Sequence, residues 1–79
     1  MMEFSVAIKT FRQNSYMSQQ EFASELGISF STVNRWETGK AIPNYQTMKR
    51  LLEYCKRMGL QYENIEKAWK ETKNGVDAY

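Results

Sequence analysis

One stretch constrains the fold more than any other: Ser18-Gln-Gln-Glu-Phe-Ala-Ser-Glu-Leu-Gly-Ile-Ser-Phe-Ser-Thr-Val-Asn-Arg-Trp-Glu37. Ser18 stands where a helix N-cap would, and Glu21 follows three residues on, the spacing of a capping box. Met17 and Phe22 occupy the two positions of a hydrophobic staple. Phe22, Ala23 and Leu26 share one face of the helix so begun. Gly27 stops it, because glycine enters the left-handed conformation without a steric penalty. Ser29 can then cap a second helix almost at once. On that helix Val33 and Trp36 lie three apart and face inward. Phe30, Ser31, Asn34 and Arg35 are left on the other side. A small residue (Ala23), a turn glycine (Gly27) and a β-branched core residue (Val33) let the two helices cross closely. The pattern predicts helices over 18–26 and 29–37.

The run SQQEFASELGISFSTVNRWETGKAIPN resembles the phage-repressor and Cro-like (XRE-type) helix-turn-helix family. Ser18, Gln19, Ala23, Gly27, Ser29, Val33, Trp36, Glu37, Gly39, Lys40 and Pro43 carry the likeness, in order and in spacing. With flanking helices it extends over roughly residues 3–58. It implies an all-α fold, a compact five-helix bundle of the lambda-repressor-like DNA-binding type. It also implies double-stranded DNA as partner, with helix 29–37 in the major groove and the preceding helix across the backbone.

Carried over position by position, the base-facing candidates are Gln19, Phe30, Ser31 and Arg35. A guanidinium such as that of Arg35 can pair in bidentate fashion with O6 and N7 of guanine. Phe30, where relatives often place a polar residue, can lie against a thymine methyl or pack on another chain. Gln19 can meet a base or brace the first residue of the recognition helix. The phosphate candidates are Ser18, Thr32, Asn34, Thr38 and Lys40. Ala23, Gly27, Val33 and Trp36 are structural. So are Arg12 and Glu37, which the resemblance pairs with each other. Where many relatives carry a basic residue before the proline, this chain has Ala41 and Ile42.

Seventy-nine residues make one domain, close to the lower size at which a core holds without staples. Cys55 is the only cysteine and histidine is absent, so one chain can form neither a disulfide framework nor a Cys/His metal cluster. Such a lone thiol suits a reducing compartment. No signal peptide and no apolar run long enough to cross a bilayer are recognisable, so a cytoplasmic location is expected. The net charge of +2 is unevenly spread. Residues 1–28 and 61–79 each sum to −1, while 29–60 carry Arg35, Lys40, Lys49, Arg50, Lys56 and Arg57 against Glu37 and Glu53. A positive middle suits an anion-binding face, although Lys56 and Arg57 fit a solvated helix face better.

The rest of the chain reads as three more helices. Phe4, Ala7, Ile8 and Phe11 predict one over 3–13. Asn44 reads as the N-cap of another over 44–57, with Tyr45, Met48, Leu52 and Cys55 as its apolar stripe and Leu51 widening it. Cys55 on that stripe is a small core residue rather than a reactive thiol. Tyr62, Ile65, Ala68 or Trp69, and Thr72 predict a fifth helix over 61–73, supported by Glu63/Lys67 and Glu66/Lys70 pairs. Tyr62, Ile65 and Trp69 either close the core of their own chain or meet a second copy in a homodimer. The domain is expected over 1–73, with 74–79 a frayed tail.

No histidine, metal-ligand cluster, glycine-rich phosphate loop or nucleophile–base pair is present in the sequence, which argues against an enzyme. No cofactor and no small-molecule effector are expected. The reading is a small prokaryotic or phage transcriptional regulator, of repressor type, that binds specific DNA. The competing readings are a protein-interaction module such as an antitoxin, and the DNA-targeting N-terminal piece of a longer protein.

Overall fold

A computed structural model describes residues 3–75 and contains five helices. They are α1 (Phe4–Asn14), α2 (Gln19–Leu26), α3 (Phe30–Glu37), α4 (Tyr45–Met58) and α5 (Glu63–Gly75). No strand occurs among the described residues. The helices are those predicted, with ends shifted by one or two residues. α5 runs through Gly75, so the expected tail loses its first two residues to helix, and 76–79 lie outside the described residues.

Local chemistry sets the helix ends. Ser18 Oγ accepts from the Glu21 N–H at 3.1 Å while Glu21 Oε1 accepts from the Ser18 N–H at 2.8 Å, a complete capping box. Gly27 takes φ +68° and ends α2. Ser29 Oγ accepts from the Thr32 N–H, and Asn44 Oδ1 from the Thr47 N–H. The α1–α2 connection holds one surprise. Tyr16 sits at φ +59°, a conformation that glycine or asparagine adopts more readily, and its side chain is 94% exposed.

The core is a single cluster to which every helix contributes. α1 supplies Phe4, Ala7, Ile8 and Phe11, and α2 supplies Phe22, Ala23 and Leu26. Val33 and Trp36 come from α3, and Ile65, Ala68 and Trp69 from α5. Phe4 meets the Trp36 ring edge-on at 6.2 Å between centroids, and Phe11 tilts against Phe22 at 5.9 Å.

The α4 register differs from the expected stripe. Met48, Leu51, Tyr54 and Cys55 are buried, Leu52 is half-buried, and Tyr45 is exposed. Tyr45 is the first residue of the helix, so its side chain projects past the core and rests edge-on against Trp69 instead. Burial pushes the Cys55 thiol up to about 11.

In α5 both Ala68 and Trp69 are buried. Ile65 and Trp69 thus fill their own chain's core, which removes them from any surface a second copy could touch; Tyr62 remains half-buried. Glu66 and Lys70 pair at 3.7 Å. Glu63 turns back to accept from the Tyr62 N–H at 3.2 Å.

Candidate nucleic-acid interface

The outer face of α3 follows from its inner one. Val33 is fully buried and Trp36 nearly so, and a helix that sinks positions 33 and 36 must lift the opposite side into solvent. Phe30, Ser31, Asn34 and Arg35 are all exposed. Ser31, Asn34 and Arg35 stand at i, i+3 and i+4, and Phe30 lies one turn before Asn34, so the four form a continuous strip. Thr32 is half-buried at the side of the helix, its hydroxyl 2.8 Å from that of Ser29.

The helix is braced at its far end by a buried ionic junction. Arg12 Nε donates to Glu37 Oε2 at 2.7 Å and Arg12 Nη2 donates to Glu37 Oε1 at 3.0 Å, a bidentate pair. The third Arg12 nitrogen, Nη1, donates to the Met17 carbonyl at 2.8 Å. Gln19 Nε2 adds a donor to Glu37 Oε1 at 2.9 Å. The carboxylate thereby ties the end of α3 to α1 and to the start of α2, and through Arg12 to the α1–α2 connection. The Glu37 side chain is 3% exposed and that of Arg12 12%. Burial alone would raise the Glu37 carboxyl; the bonds from Arg12 and Gln19, with the charges of Arg12 and Lys9, outweigh it and hold the group below its ordinary range. The same pair raises Arg12. Because Arg12 neutralises Glu37, the positive charges of Arg35 and Lys40 stand on this end of the molecule without an opposing carboxylate on α3.

Two expected site residues, Gln19 and Thr38, are placed differently from their assigned roles. Gln19 braces the last residue of α3, Glu37, rather than the first, and its amide nitrogen is engaged there. Thr38 donates its one hydroxyl proton back to the Asn34 carbonyl at 2.9 Å, with Arg35's carbonyl at 3.3 Å. A hydroxyl so committed has only lone pairs to offer, and a phosphate needs a donor. Ser18 keeps a hydroxyl proton, since in the capping box its oxygen accepts. Asn34 and Lys40 are exposed. Ala41 and Ile42 pack against the core, as apolar residues in place of basic ones would.

Arg50 is a contributor that hydrophobic patterning did not single out. Its Nη1 donates to the Leu26 carbonyl at 3.2 Å, placing a cation at the carboxyl end of α2 beside the turn into α3. The only signal in the sequence was a basic residue next to the α4 stripe, which is common on any solvated helix. Lys56 and Arg57 lie over the rings of Tyr62 and Tyr54, at 5.6 and 5.7 Å from the centroids. No group of acidic, cysteine or histidine side chains suited to a metal ion exists among the described residues. None of the described helices is long and apolar enough to cross a membrane.

Two short helices joined by a left-handed glycine, the second capped, braced and exposing a polar and cationic strip, define a helix-turn-helix protein. The family model for the helix-turn-helix matches residues 8–62, and the chain belongs to that DNA-binding family. It is also similar to the HTH-type transcriptional activator BcrR of Enterococcus faecalis, with 28% identity over 53 residues. That similarity covers 67% of this chain and 26% of the relative, so the chain spans about a quarter of the relative's length. No solved structure matches this chain.

Proposed function

We propose that the chain binds specific sites on double-stranded DNA as a prokaryotic or phage transcriptional regulator, with α3 in the major groove. The observation that carries this reading is the strip Phe30, Ser31, Asn34 and Arg35, exposed on a helix whose opposite face is buried and whose end is braced by Glu37. Arg35 reads a guanine edge, Ser31 a base or phosphate, and Phe30 a thymine methyl. Ser18, Thr32, Asn34 and Lys40 contact phosphates. Gln19 acts mainly by fixing α3 against α2.

Titration of a random-sequence duplex at several salt concentrations tests this directly. A protein that neutralises several phosphates loses affinity linearly on a log–log plot against salt. A chain whose contacts are with other proteins shows no such slope.

The shared quarter of the BcrR length supports a second reading, in which this domain is the DNA-targeting part of a longer regulator. Dimers of this fold bind half-sites one helical turn apart. Should this chain dimerise, the contact must be made by a surface that does not depend on Ile65 and Trp69. Sedimentation at micromolar concentration measures that association.

A further inference from the structure

α5 begins at Glu63, just past the segment 8–62 that the family match covers, yet it reaches back to the loop that leaves α3. The link is one buried hydrogen bond: the Trp69 indole Nε1 donates to the Pro43 carbonyl at 2.8 Å. The loop is held at its other end as well. The N–H groups of Lys40 and Ala41 both donate to the Arg35 carbonyl, at 2.9 and 3.3 Å. Between these anchors Ala41 and Ile42 are partly buried and Lys40 is exposed. The indole is itself fixed in place, with Tyr45 edge-on at 5.3 Å and the Lys73 ammonium 5.4 Å from its ring. Farther along α5, Thr72 Oγ1 accepts from the Phe4 N–H at 3.2 Å, and Phe4 packs on Trp36 of α3.

We infer that Trp69 is a positioning residue for DNA binding: through the Pro43 carbonyl it fixes loop 39–43 and so places the Lys40 ammonium at the phosphate backbone. The indole itself is buried and does not touch DNA. A flexible four-carbon side chain gains from a backbone held at a fixed height, and a loop freed at Pro43 leaves only the Arg35 carbonyl to hold Lys40, so its ammonium samples more positions. Sequence patterning presents Trp69 as a core or dimer-interface residue, since nothing in the chain's periodicity pairs an indole with a carbonyl 26 residues away. The inference rests on the proposed function, in which Lys40 contacts a phosphate.

A double-mutant cycle in binding to a random-sequence 20-base-pair duplex separates the two. The chain is titrated at several salt concentrations as wild type, as Lys40→Ala, with β-(3-benzothienyl)alanine at position 69, and with both changes. The benzothienyl side chain keeps the shape of the indole and exchanges its N–H for sulfur, and Trp69→Phe serves as a second variant lacking the donor. Helix content by circular dichroism establishes that each variant is folded. Lys40→Ala is expected to lower the salt slope by about 0.9, the value of one phosphate contact on duplex DNA. The position-69 variants are expected to lower the slope in the same direction and to add little to Lys40→Ala, the double variant binding within about twofold of Lys40→Ala alone. Full additivity, or a position-69 donor whose removal leaves slope and affinity unchanged while Lys40→Ala moves both, overturns the inference and spares the proposed function. A Lys40→Ala slope equal to wild type overturns both the inference and the place of Lys40 in the interface. Wild-type binding without salt dependence overturns the DNA reading as a whole.

Discussion

At the scale of single residues, Glu37 and Arg35 stand two apart on α3 and do opposite things. Glu37 is buried, paired and bonded three times by side chains; Arg35 is exposed. Removing Arg12 alone would leave a buried carboxylate with Gln19 as its remaining side-chain donor, and breaking such a pair from one side costs about 3 kcal/mol or more. Arg12→Ala is therefore expected to be severely destabilising in urea melts. The paired replacement Arg12→Met with Glu37→Leu is expected to lose far less, since apolar groups of similar volume leave no orphaned charge. The junction also sets a pH dependence. Glu37's folded pKa lies below its unfolded value, so its contribution is fully present above the ordinary glutamate pKa of about 4.3 and disappears as pH falls through the lower folded value. Glu37→Gln is expected to flatten that acid limb in thermal melts followed from pH 6 to pH 2. Arg35→Ala should leave both stability and helix content near wild type while abolishing preference for one site in a selection from random DNA. Recovery of the same site by that variant would remove Arg35 from the reading strip.

At the scale of elements, the turns carry the sharpest expectations. Gly27 has φ +68°, and a Cβ built there meets nothing closer than Arg50 Nη1 at 4.0 Å. The cost of Gly27→Ala is thus conformational rather than steric, about 1–2 kcal/mol from the left-handed backbone. Tyr16 presents the reverse case. It bears a left-handed backbone under an almost wholly exposed ring, and Tyr16→Gly is expected to raise stability by roughly 0.5 kcal/mol in chemical denaturation.

These two positions also show what the sequence could and could not convey. Gly27, the Ser18–Glu21 box and the Ser29 and Asn44 caps are short-range chemistry, legible because partner and residue lie within a few positions of one another. The inward faces of α1, α2 and α3 were equally legible from spacing. Tyr16 was not, since nothing about a tyrosine announces a positive φ. The α4 stripe departs from its expected register at Tyr45, Leu52 and Tyr54, because periodicity says neither where along a helix the core ends nor which edge of a wide stripe is covered. The Gln19–Glu37, Arg50–Leu26 and Trp69–Pro43 bonds escaped for a common reason: each joins groups 18 or more positions apart, and only the fold brings them together.

At the scale of the whole molecule, the five helices form one body with an asymmetric surface. α3 is buried on one side by α1 and α2 and leaves its strip of Phe30, Ser31, Asn34 and Arg35 in solvent, with Lys40 just beyond its end. The stretch that opens α2 and the loop that follows α3 are both pinned, Met17–Gln19 through Arg12 and Glu37, Pro43 through Trp69. Such bracing holds the strip in place, and in the proposed complex this lowers the entropy lost on meeting a groove.

The central claim, that this strip enters DNA, is tested most directly by nitrogen-15 chemical-shift mapping of the folded chain against a duplex carrying its selected site. The largest perturbations are expected on residues 29–35 and on Lys40, with smaller changes at the start of α2 and little across α5. Perturbations centred on α5 and the carboxyl end of α4, with the amides of 29–35 unmoved at saturation, would contradict it.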